Sequence, residues 1–404
     1  MDVIGSDRQR QTSTSFDLAD RATRILPSGI RAVQMEAERL NQQGIKVFNF
    51  SLGRPDFDTP KHIKDAAKTA LDFGRVHYTP NAGISELRQA IASKLERENG
   101  LQVDPDLGII TSAGSCEAIC VAMLGYLNPG DEVLILTPAW TNYVAAAHLA
   151  GATPVQVQSH RSNGFIPDIS EVHKCATSRT RLLVLNSPNN PTGVVYPTAT
   201  LKELADFAEK HNLLVLSDEI YERLVYDDIE CVAFASLPGM FNRTLTINGF
   251  SKSYSMTGWR IGYLAGPPAL VQPLVPIHQN LVASACSFVQ WASVRALREE
   301  STCVRDMVEE YRIRRDIVYE GIGKLPNILM PKPQGTFYAF PGWTHSTVSA
   351  EEVALRLMKE EHVAVVPGSI FGPGGERSLR LSFCCSTSDV QEGVARMMRV
   401  LGAL

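Results

Sequence analysis

The sequence lacks long hydrophobic runs, since its uninterrupted apolar stretches last only a few residues. A helix that crosses a bilayer needs about 20 consecutive apolar residues, so we expect no transmembrane segment. Residues 1–17 are polar and contain no apolar stretch of the kind found in signal peptides. We therefore expect a soluble, cytoplasmic protein that does not bind membranes.

The sequence also lacks the cysteine patterns of zinc modules and disulfide scaffolds. Its eight cysteines are scattered, with no C-x-x-C pair and no histidine at ligand spacing. Such scattered residues are typical of reduced thiols in the cytosol. We predict no metal site.

There is no excess of positive charge either. The chain has 39 basic and 43 acidic residues, which leaves a net charge of −4 with histidine neutral. This balance provides no overall field for nucleic acid, so we expect no nucleic-acid partner. The chain has neither a Walker loop nor the three-glycine dinucleotide fingerprint, which disfavours a nucleotide cofactor.

What the sequence does have is a large apolar content, 44% of its 404 residues, arranged in a regular alternation. Buried strands that form parallel sheets appear as short, continuous apolar runs separated by helices. The segments that follow this pattern as strands are 108–111, 132–136, 181–185, 213–216 and 244–247, with helices near 117–127 and 201–211. They predict an α/β fold with a doubly wound, mostly parallel sheet, in which ligands bind at the carboxyl ends of the strands.

Both ends of the chain depart from this alternation. A helix over 26–44 and a strand over 46–53 precede it, and a long helical stretch over 288–320 and a strand over 335–340 follow it. We expect these ends to form one smaller α+β domain. The predicted division is a flexible tail (1–20), an N-terminal arm with part of the small domain (21–60), a large domain (61–294) and a C-terminal small domain (295–404).

Polar residues stand where two predicted strands end. Asp218 and Tyr221 follow the strand at 213–216, and Asn190 follows the strand at 181–185. Each has a structural interpretation when taken singly. Asp218 could cap a helix or pair in the core, Asn190 could turn the chain, and Tyr221 could fill space.

Three further positions are candidates for chemistry. Lys252 lies among aromatic and small residues after a strand, where partial loss of solvent would lower its pKa and favour carbonyl chemistry by the neutral amine. The turn at Gly114 joins a strand to a helix, and such a helix start can hold a phosphate, although the signal is weak alone. Arg380 stands in an apolar run, so a carboxylate from the protein or a ligand should meet it.

Taken together, these motifs resemble the pyridoxal-phosphate-dependent aminotransferases of fold type I, class I/II, in order over residues 26–403. The stretches that carry the resemblance are Ser51-Leu52-Gly53-Arg54-Pro55-Asp56-Phe57-Asp58-Thr59-Pro60, Tyr78-Thr79-Pro80 with Gly83, Asn186-Ser187-Pro188-Asn189-Asn190-Pro191-Thr192-Gly193, Asp218-Glu219-Ile220-Tyr221-Glu222, Ser251-Lys252, Met256-Thr257-Gly258-Trp259-Arg260, Gly335-Thr336-Phe337-Tyr338, Val366-Pro367-Gly368 and Arg380-Leu381-Ser382-Phe383.

The resemblance implies that the cofactor is pyridoxal 5'-phosphate and assigns roles around its ring. Lys252 would bind the cofactor aldehyde covalently and move the substrate α-proton, and Asp218 would pair with the pyridinium nitrogen. Asn190 and Tyr221 would hydrogen-bond the phenolate oxygen. Trp140 would stack on the ring face, unless it is a structural tryptophan.

The resemblance also implies how the phosphate is held. Gly114, Ser115 and Cys116 would bind it at a helix N-terminus, and Arg260 would supply a permanent charge. Tyr78 would reach it from the neighbouring subunit, which implies an obligate homodimer. Where some relatives have a phosphate-binding Ser this chain has Gly249, and Cys116 replaces Thr or Lys, so backbone N–H groups would provide most contacts.

For the substrate, the resemblance implies that Arg380 clamps the α-carboxylate, with Gly53 and Asn190 nearby. Some aspartate-using relatives carry a Lys at the Cys116 position and a Thr near the Ile30 position. Cys116 and Ile30 therefore favour an aromatic or other neutral side chain over aspartate.

We interpret the chain as an aminotransferase that moves the α-amino group of an L-amino acid to a 2-oxo acid, 2-oxoglutarate, by a ping-pong mechanism. One alternative is a lyase or synthase that uses the same cofactor for elimination, replacement or C–C bond formation. Another is a non-catalytic sensor, although Lys252 is present and no DNA-binding segment is added.

Overall fold

The computed structural model of the chain describes residues 16–299 and 302–404. Most of the predicted flexible tail therefore lies outside the described residues, and the described chain begins its first helix at Asp20. The helices are α1 (Asp20–Arg24), α2 (Gly29–Gln42), α3 (Lys61–Asp72), α4 (Ser85–Asn99), α5 (Ser115–Tyr126), α6 (Asn142–Leu149), α7 (Ile169–Cys175), α8 (Thr198–Lys210), α9 (Pro268–Val271), α10 (Val275–Val282), α11 (Ser287–Arg298), α12 (Cys303–Gly321), α13 (Ala350–Glu360) and α14 (Thr387–Leu401).

The strands belong to one large sheet and several small ones. They are β1 (Phe48–Asn49), β2 (Ile109–Ser112), β3 (Glu132–Thr137), β4 (Thr153–Gln158), β5 (Thr180–Asn186), β6 (Leu214–Asp218), β7 (Thr244–Gly249), β8 (Gly262–Ala265), β9 (Ile328–Leu329), β10 (Tyr338–Ala339), β11 (Gly342–Trp343), β12 (Val363–Ala364), β13 (Val366–Pro367) and β14 (Leu379–Ser382).

The large sheet has the order β2-β8-β7-β6-β5-β3-β4. Strands β4, β3, β5, β6 and β7 run parallel, while β8 is antiparallel to both of its neighbours. This architecture confirms the predicted α/β class with a mostly parallel sheet. The carboxyl ends of β5 and β6 lie side by side, because Asn186 pairs in register with Asp218.

The apolar strand runs are explained by burial on both faces of the sheet. Along β3, Val133 and Ile135 pack with α5 and α6, whereas Leu134 and Leu136 pack with α8. Successive strand residues point to opposite faces, so a strand covered on both sides is apolar at most positions. The polar residues of the sheet are thereby displaced toward the strand ends.

The two ends of the chain meet in the smaller part of the fold. Strand β1 pairs in parallel with β12, Phe48 opposite Val363, and β14 lies between β10 and β13 in an antiparallel sheet. Phe50 and Tyr311 share one buried cluster with Leu381. These contacts support the predicted small domain built from both ends, whose boundaries we retain as a proposal.

Several predicted segments differ from the structure. The single helical stretch over 288–320 is two helices, α11 and α12, because the backbone is extended at Glu299 (φ −90°, ψ 123°). The strands predicted over 46–53 and 335–340 each pair over only two residues, in β1 and β10. The edge strand β4 escaped prediction because it is largely exposed and has no continuous apolar run. No helix in the described ranges is long and apolar enough to span a membrane.

Candidate active site

A cavity of about 270 Å³ opens at the carboxyl ends of β5 and β6, where the small sheet with β10 and β14 packs against the large one. Its volume is close to the lower limit of small-molecule pockets, about 300 Å³. The residues singled out in the sequence that line it are Ile30, Gly53, Ser115, Cys116, Trp140, Asn190, Asp218, Tyr221, Lys252, Arg260 and Arg380. The fold thus gathers residues from distant parts of the chain around one space.

A larger groove of about 570 Å³ lies elsewhere, between α3 and α11. His62, Phe73 and Trp291 contribute to its walls, and none of the residues predicted for chemistry lines it. We therefore place the candidate site in the smaller cavity.

Asp218 ends β6 and is almost fully buried, with 1% of its surface exposed. Burial raises the pKa of its carboxyl to about 6, while the Tyr143 phenol, the Ile220 N–H and the charge of Lys252 act in the opposite direction. Tyr143 donates a hydrogen bond to Oδ2 at 2.7 Å, and the Ile220 N–H donates to Oδ1 at 3.2 Å. The carboxyl is thus held in one orientation, and a cation beside it would stabilise its charged form.

Lys252 follows β7 and extends its amine into the cavity, where Nζ donates to the carbonyl oxygen of Gly53 at 2.7 Å. Burial, together with the nearby positive charges of Arg380 and Arg260, lowers the pKa of the amine to about 8, although Cys384 and Cys116 act in the opposite direction. A substantial neutral fraction is therefore present near pH 8. A neutral amine is a nucleophile and a base, which an exposed lysine is not at this pH.

Asn190 connects the backbone of Asp218 to the Arg380 guanidinium on the other wall. Its backbone N–H donates to Asn186 Oδ1 at 2.9 Å, and Asn186 Nδ2 donates in turn to the Asp218 carbonyl at 2.9 Å. Its side-chain oxygen accepts from Arg380 Nη1 at 3.3 Å.

Tyr221 also lines the cavity, and burial raises the pKa of its phenol well above its usual range. This phenol is protonated at neutral pH and is available to donate.

Arg380 is 2% exposed, yet its hydrogen-bond partners are neutral. Nη1 donates to Asn190 and Nη2 donates to the Ser51 carbonyl at 2.8 Å. Within residues 16–299 and 302–404, no carboxylate forms an ion pair with Arg380 and no acceptor contacts its Nε. Of the two partners that the sequence leaves open, a structural carboxylate is therefore absent from the described chain. A buried guanidinium in this state is chemically suited to a ligand carboxylate.

The start of α5 has features that suit an anion. Gly114 precedes this helix with φ +83°, and no side chain caps the first N–H groups of the helix. A Cβ at Gly114 would lie 2.6 Å from Arg260 Nη2, so the absence of a side chain lets the guanidinium approach the helix N-terminus. Burial raises the pKa of the Cys116 thiol, which is consequently neutral beside these donors. Free N–H groups, the helix dipole and Arg260 together suit a phosphate.

The remaining predicted residues occupy different surroundings. Ile30 and Trp140 line the cavity, and the Trp140 ring contacts Tyr143 edge-on with centroids 5.6 Å apart. Tyr78 is 93% exposed and does not line the cavity of its own chain. Its predicted contact with a neighbouring subunit stays a prediction.

Two tyrosines at the cavity were missed from the sequence. Tyr143 lies three residues after Trp140 in the first turn of α6, and this spacing alone could have suggested a shared wall. Tyr338 belongs to the Gly335-Thr336-Phe337-Tyr338 motif, but no role was assigned to it. The remaining lining residues, Asn186, Ile220, Ser251 and Thr257, are neighbours of predicted positions.

Comparison with known proteins gives one consistent result. Residues 45–397 match the family model described as aminotransferase class I and II. An aspartate aminotransferase of Pyrococcus abyssi is 41% identical over 388 residues, covering 95% of this chain and 98% of the relative. An aromatic-amino-acid aminotransferase 2 of Thermococcus litoralis is 42% identical over 389 residues, with the same coverage. The solved aspartate aminotransferase from Thermus thermophilus with maleate has a TM-score of 0.90 at 38% identity and covers 95% of this chain and 100% of that chain.

The environment of Lys252 predicts an unusual titration. In the cofactor-free protein, this amine should titrate near pH 8, because burial penalises its charged form. NMR of the reductively ¹³C-methylated protein measures this value, and the Lys252→Arg variant identifies the signal by its loss. A Lys252 signal that titrates above pH 10 would contradict the prediction.

Proposed function

Since this chain belongs to the aminotransferase class I and II family, we propose that Lys252, Asp218 and Arg380 form the active site of an L-amino acid:2-oxo acid aminotransferase. Its relatives over nearly the full length are amino-acid aminotransferases, and the enzyme depends on pyridoxal 5'-phosphate in the fold type I architecture. The observation that carries the assignment of the site is the buried Arg380 without a carboxylate partner, in the same cavity as a lysine with a lowered pKa.

The residues present fit pyridoxal 5'-phosphate at each of its polar groups. Ser115, Cys116 and Arg260 would hold the phosphate at the open start of α5, where Gly114 leaves room for the guanidinium. Asp218 would meet the ring nitrogen, and Asn190 and Tyr221 would meet the phenolate oxygen. Trp140 would cover the ring. These roles are supported by the shared cavity, because every group the cofactor needs has a counterpart in its walls.

When bound, pyridoxal 5'-phosphate supplies an aldehyde that takes up amino groups and a ring that accepts electrons released at the substrate Cα. Lys252 Nζ would hold the aldehyde at rest and then carry the proton of the substrate Cα as a base. Its lowered pKa supports this role, because a lysine that is always charged cannot accept a proton.

Asp218 would keep a proton on the ring nitrogen through its negative charge. Burial, opposed only in part by Tyr143, the Ile220 N–H and Lys252, raises the pKa of this carboxyl to about 6, and a cation beside it would lower that pKa again. Tyr143 and the Ile220 N–H position its two oxygens and so direct the carboxylate. The opposite charges of Asp218 and the ring nitrogen would stabilise each other. This pairing would both hold the cofactor and keep its ring protonated.

Arg380 would bind the substrate α-carboxylate through its planar fork. Ile30 and Cys116, at positions where some relatives carry polar or charged residues, support an amino donor with an aromatic or other neutral side chain. Aspartate remains an alternative donor, since the relatives include aspartate as well as aromatic-amino-acid aminotransferases. We propose 2-oxoglutarate as the acceptor, in a ping-pong cycle.

We further propose a homodimer in which Tyr78 reaches the phosphate of the partner subunit. The segment before Tyr78 supports this assembly, because Phe73 and Val76 are 78% and 55% exposed and Tyr78 is 93% exposed. Large side chains exposed together are typical of an interface. We retain the cytoplasmic location as a proposal, which cell fractionation tests.

The reaction type is tested by incubating the purified holoenzyme with single amino acids and no acceptor. Transamination predicts one 2-oxo acid per site and conversion of the cofactor to its pyridoxamine form, followed by recovery when 2-oxoglutarate is added. Lys252→Ala should abolish turnover, and Lys61→Ala, on an exposed helix, should match wild type. Eliminated or condensed products without pyridoxamine would instead establish a lyase or synthase, and inertness toward all donors would favour a sensor.

The carboxylate clamp is tested by Arg380→Ala. Leaving the substrate carboxylate without its buried partner should lower kcat/KM by roughly 30-fold to several thousand-fold, since truncating one member of a buried charge pair costs about 2–5 kcal/mol. Arg399→Ala is the matched control, because Arg399 is 63% exposed on α14 and should leave kcat/KM unchanged. Equal kcat/KM values in the two variants would refute the clamp.

The shared site is tested by mixing subunits. Sedimentation equilibrium should give about twice the 44.3 kDa chain mass. Tyr78→Phe should weaken cofactor binding by roughly 10-fold to 150-fold through one lost hydrogen bond to a charged group, whereas Tyr319→Phe on α12 should not. A refolded mixture of Lys252→Ala and Tyr78→Phe chains should recover sites of wild-type affinity, because each hybrid dimer contains one complete site. A monomeric holoenzyme, or a mixture without recovery, would contradict the proposal.

A further inference from the structure

The small sheet places Tyr338 directly beneath the proposed carboxylate clamp. In the antiparallel pair of β10 and β14, Tyr338 lies opposite Ser382, so Arg380, two residues earlier, projects from the same face. The Arg380 guanidinium carbon lies 4.5 Å from the centroid of the Tyr338 ring, and Tyr338 is 1% exposed. A buried aromatic face under a guanidinium both attracts and orients it.

The other end of the same side chain contacts a residue proposed to bind the cofactor. Tyr338 Oη lies 3.2 Å from Tyr221 Oη, within hydrogen-bond distance. Each phenol has one proton to donate. If Tyr221 donates its proton to the phenolate oxygen of the cofactor, its own oxygen is left to accept, and Tyr338 is the donor within reach. A phenol that accepts a hydrogen bond is polarised into a stronger donor.

The third contact of Tyr338 is with the wall that holds the lysine. A Cβ at Gly53 would lie 2.5 Å from Tyr338 Oη, so any larger residue at this position would clash with the hydroxyl. The carbonyl of that glycine accepts the hydrogen bond of Lys252 Nζ. The charged and titratable groups around the two phenols are Arg380, Asp218 and Cys384, with Lys252 beside the Tyr221 ring. The Tyr338 side chain thus contacts Arg380 through its ring and Tyr221 through its hydroxyl, and that hydroxyl lies against the glycine that binds Lys252.

We propose that Tyr338 is a positioning residue that couples the substrate clamp at Arg380 to the Tyr221 phenol: its ring orients the guanidinium, and its hydroxyl donates to Tyr221. This inference rests on the proposed function. It divides one side chain into two separable parts, because the ring acts on substrate binding and the hydroxyl acts on the cofactor. Removing the hydroxyl alone should therefore leave substrate affinity in place.

The test compares Tyr338→Phe with Tyr338→Leu in the holoenzyme. In Tyr338→Phe, the pH-dependent absorbance change of the lysine-bound cofactor should move upward by roughly half a pH unit or more, because Tyr221 becomes a weaker donor to the phenolate. The amino-acid KM should stay within about 2-fold of wild type because the ring remains under Arg380. In Tyr338→Leu the ring is lost too, so KM should rise about 5-fold or more.

A double-mutant cycle isolates the coupling. In a Tyr221→Phe background, adding Tyr338→Phe should cause no further spectral shift, since the acceptor of the hydrogen bond is already gone. Tyr311→Phe is the matched control, because Tyr311 is fully buried in the same cluster and contacts Asp56 instead of the cavity. Its spectrum should titrate as wild type does.

The proposal is overturned if Tyr338→Phe titrates like wild type or if its shift adds to that of Tyr221→Phe. A Tyr338→Phe variant with the KM of Tyr338→Leu would also overturn it, because the hydroxyl would then act on the clamp. Failure of the proposed function is a separate result: the wild-type protein would then bind no pyridoxal 5'-phosphate or transfer no amino group. Should Tyr338→Leu not fold, the spectral shift and the cycle with Tyr338→Phe still decide the question.

Discussion

The parallel pairing of β5, β6 and β7 is the constraint on which the cavity depends. These strands are buried on both faces, so apolar residues dominate their middle and the polar side chains Asn186, Asp218 and Asn248 stand at or near their carboxyl ends. The register then sets Asn186 beside Asp218, and Asp218 beside Ile247 of β7. Lys252 follows β7 within a few residues, which brings its amine to the same edge. The polar residues are concentrated there because the rest of the sheet excludes them.

The cavity contains three ionisable side chains that are largely shielded from water. Asp218, Lys252 and Arg380 lie close together, and burial raises the pKa of the carboxyl to about 6 while lowering that of the amine to about 8. Neutral partners, the Tyr143 phenol and the carbonyls of Gly53 and Ser51, compensate these groups only in part. Buried charges without full partners destabilise a fold. A ligand that supplies the missing opposite charges would offset this cost and stabilise the protein by binding.

Much of this arrangement could be predicted from the sequence, and what escaped has identifiable physical reasons. Continuous apolar runs identified β2, β3, β5, β6 and β7, but the interior strand β8 was missed because it is only four residues long and begins with a glycine, and β4 is an exposed edge strand that lacks that signal. The helical stretch near residue 299 has no proline or glycine to mark its interruption, so the extended conformation of Glu299 was not apparent. Tyr143 and Tyr338 were missed because a tyrosine in an apolar segment has the same pattern whether it fills a core or lines a cavity.

The sequence by itself determined the fold class and the family and suggested most of the candidate residues, because the strand periodicity and the motifs are local and can be recognised segment by segment. The tertiary structure decided which of these residues meet. Arg380 contacts Asn190 across 190 positions of the chain, and the phenols of Tyr221 and Tyr338 meet across 117. Whether Arg380 had a carboxylate partner could not be known from its apolar neighbours. Such contacts depend on how the small sheet packs against the large one, and short-range patterns contain no information on that packing.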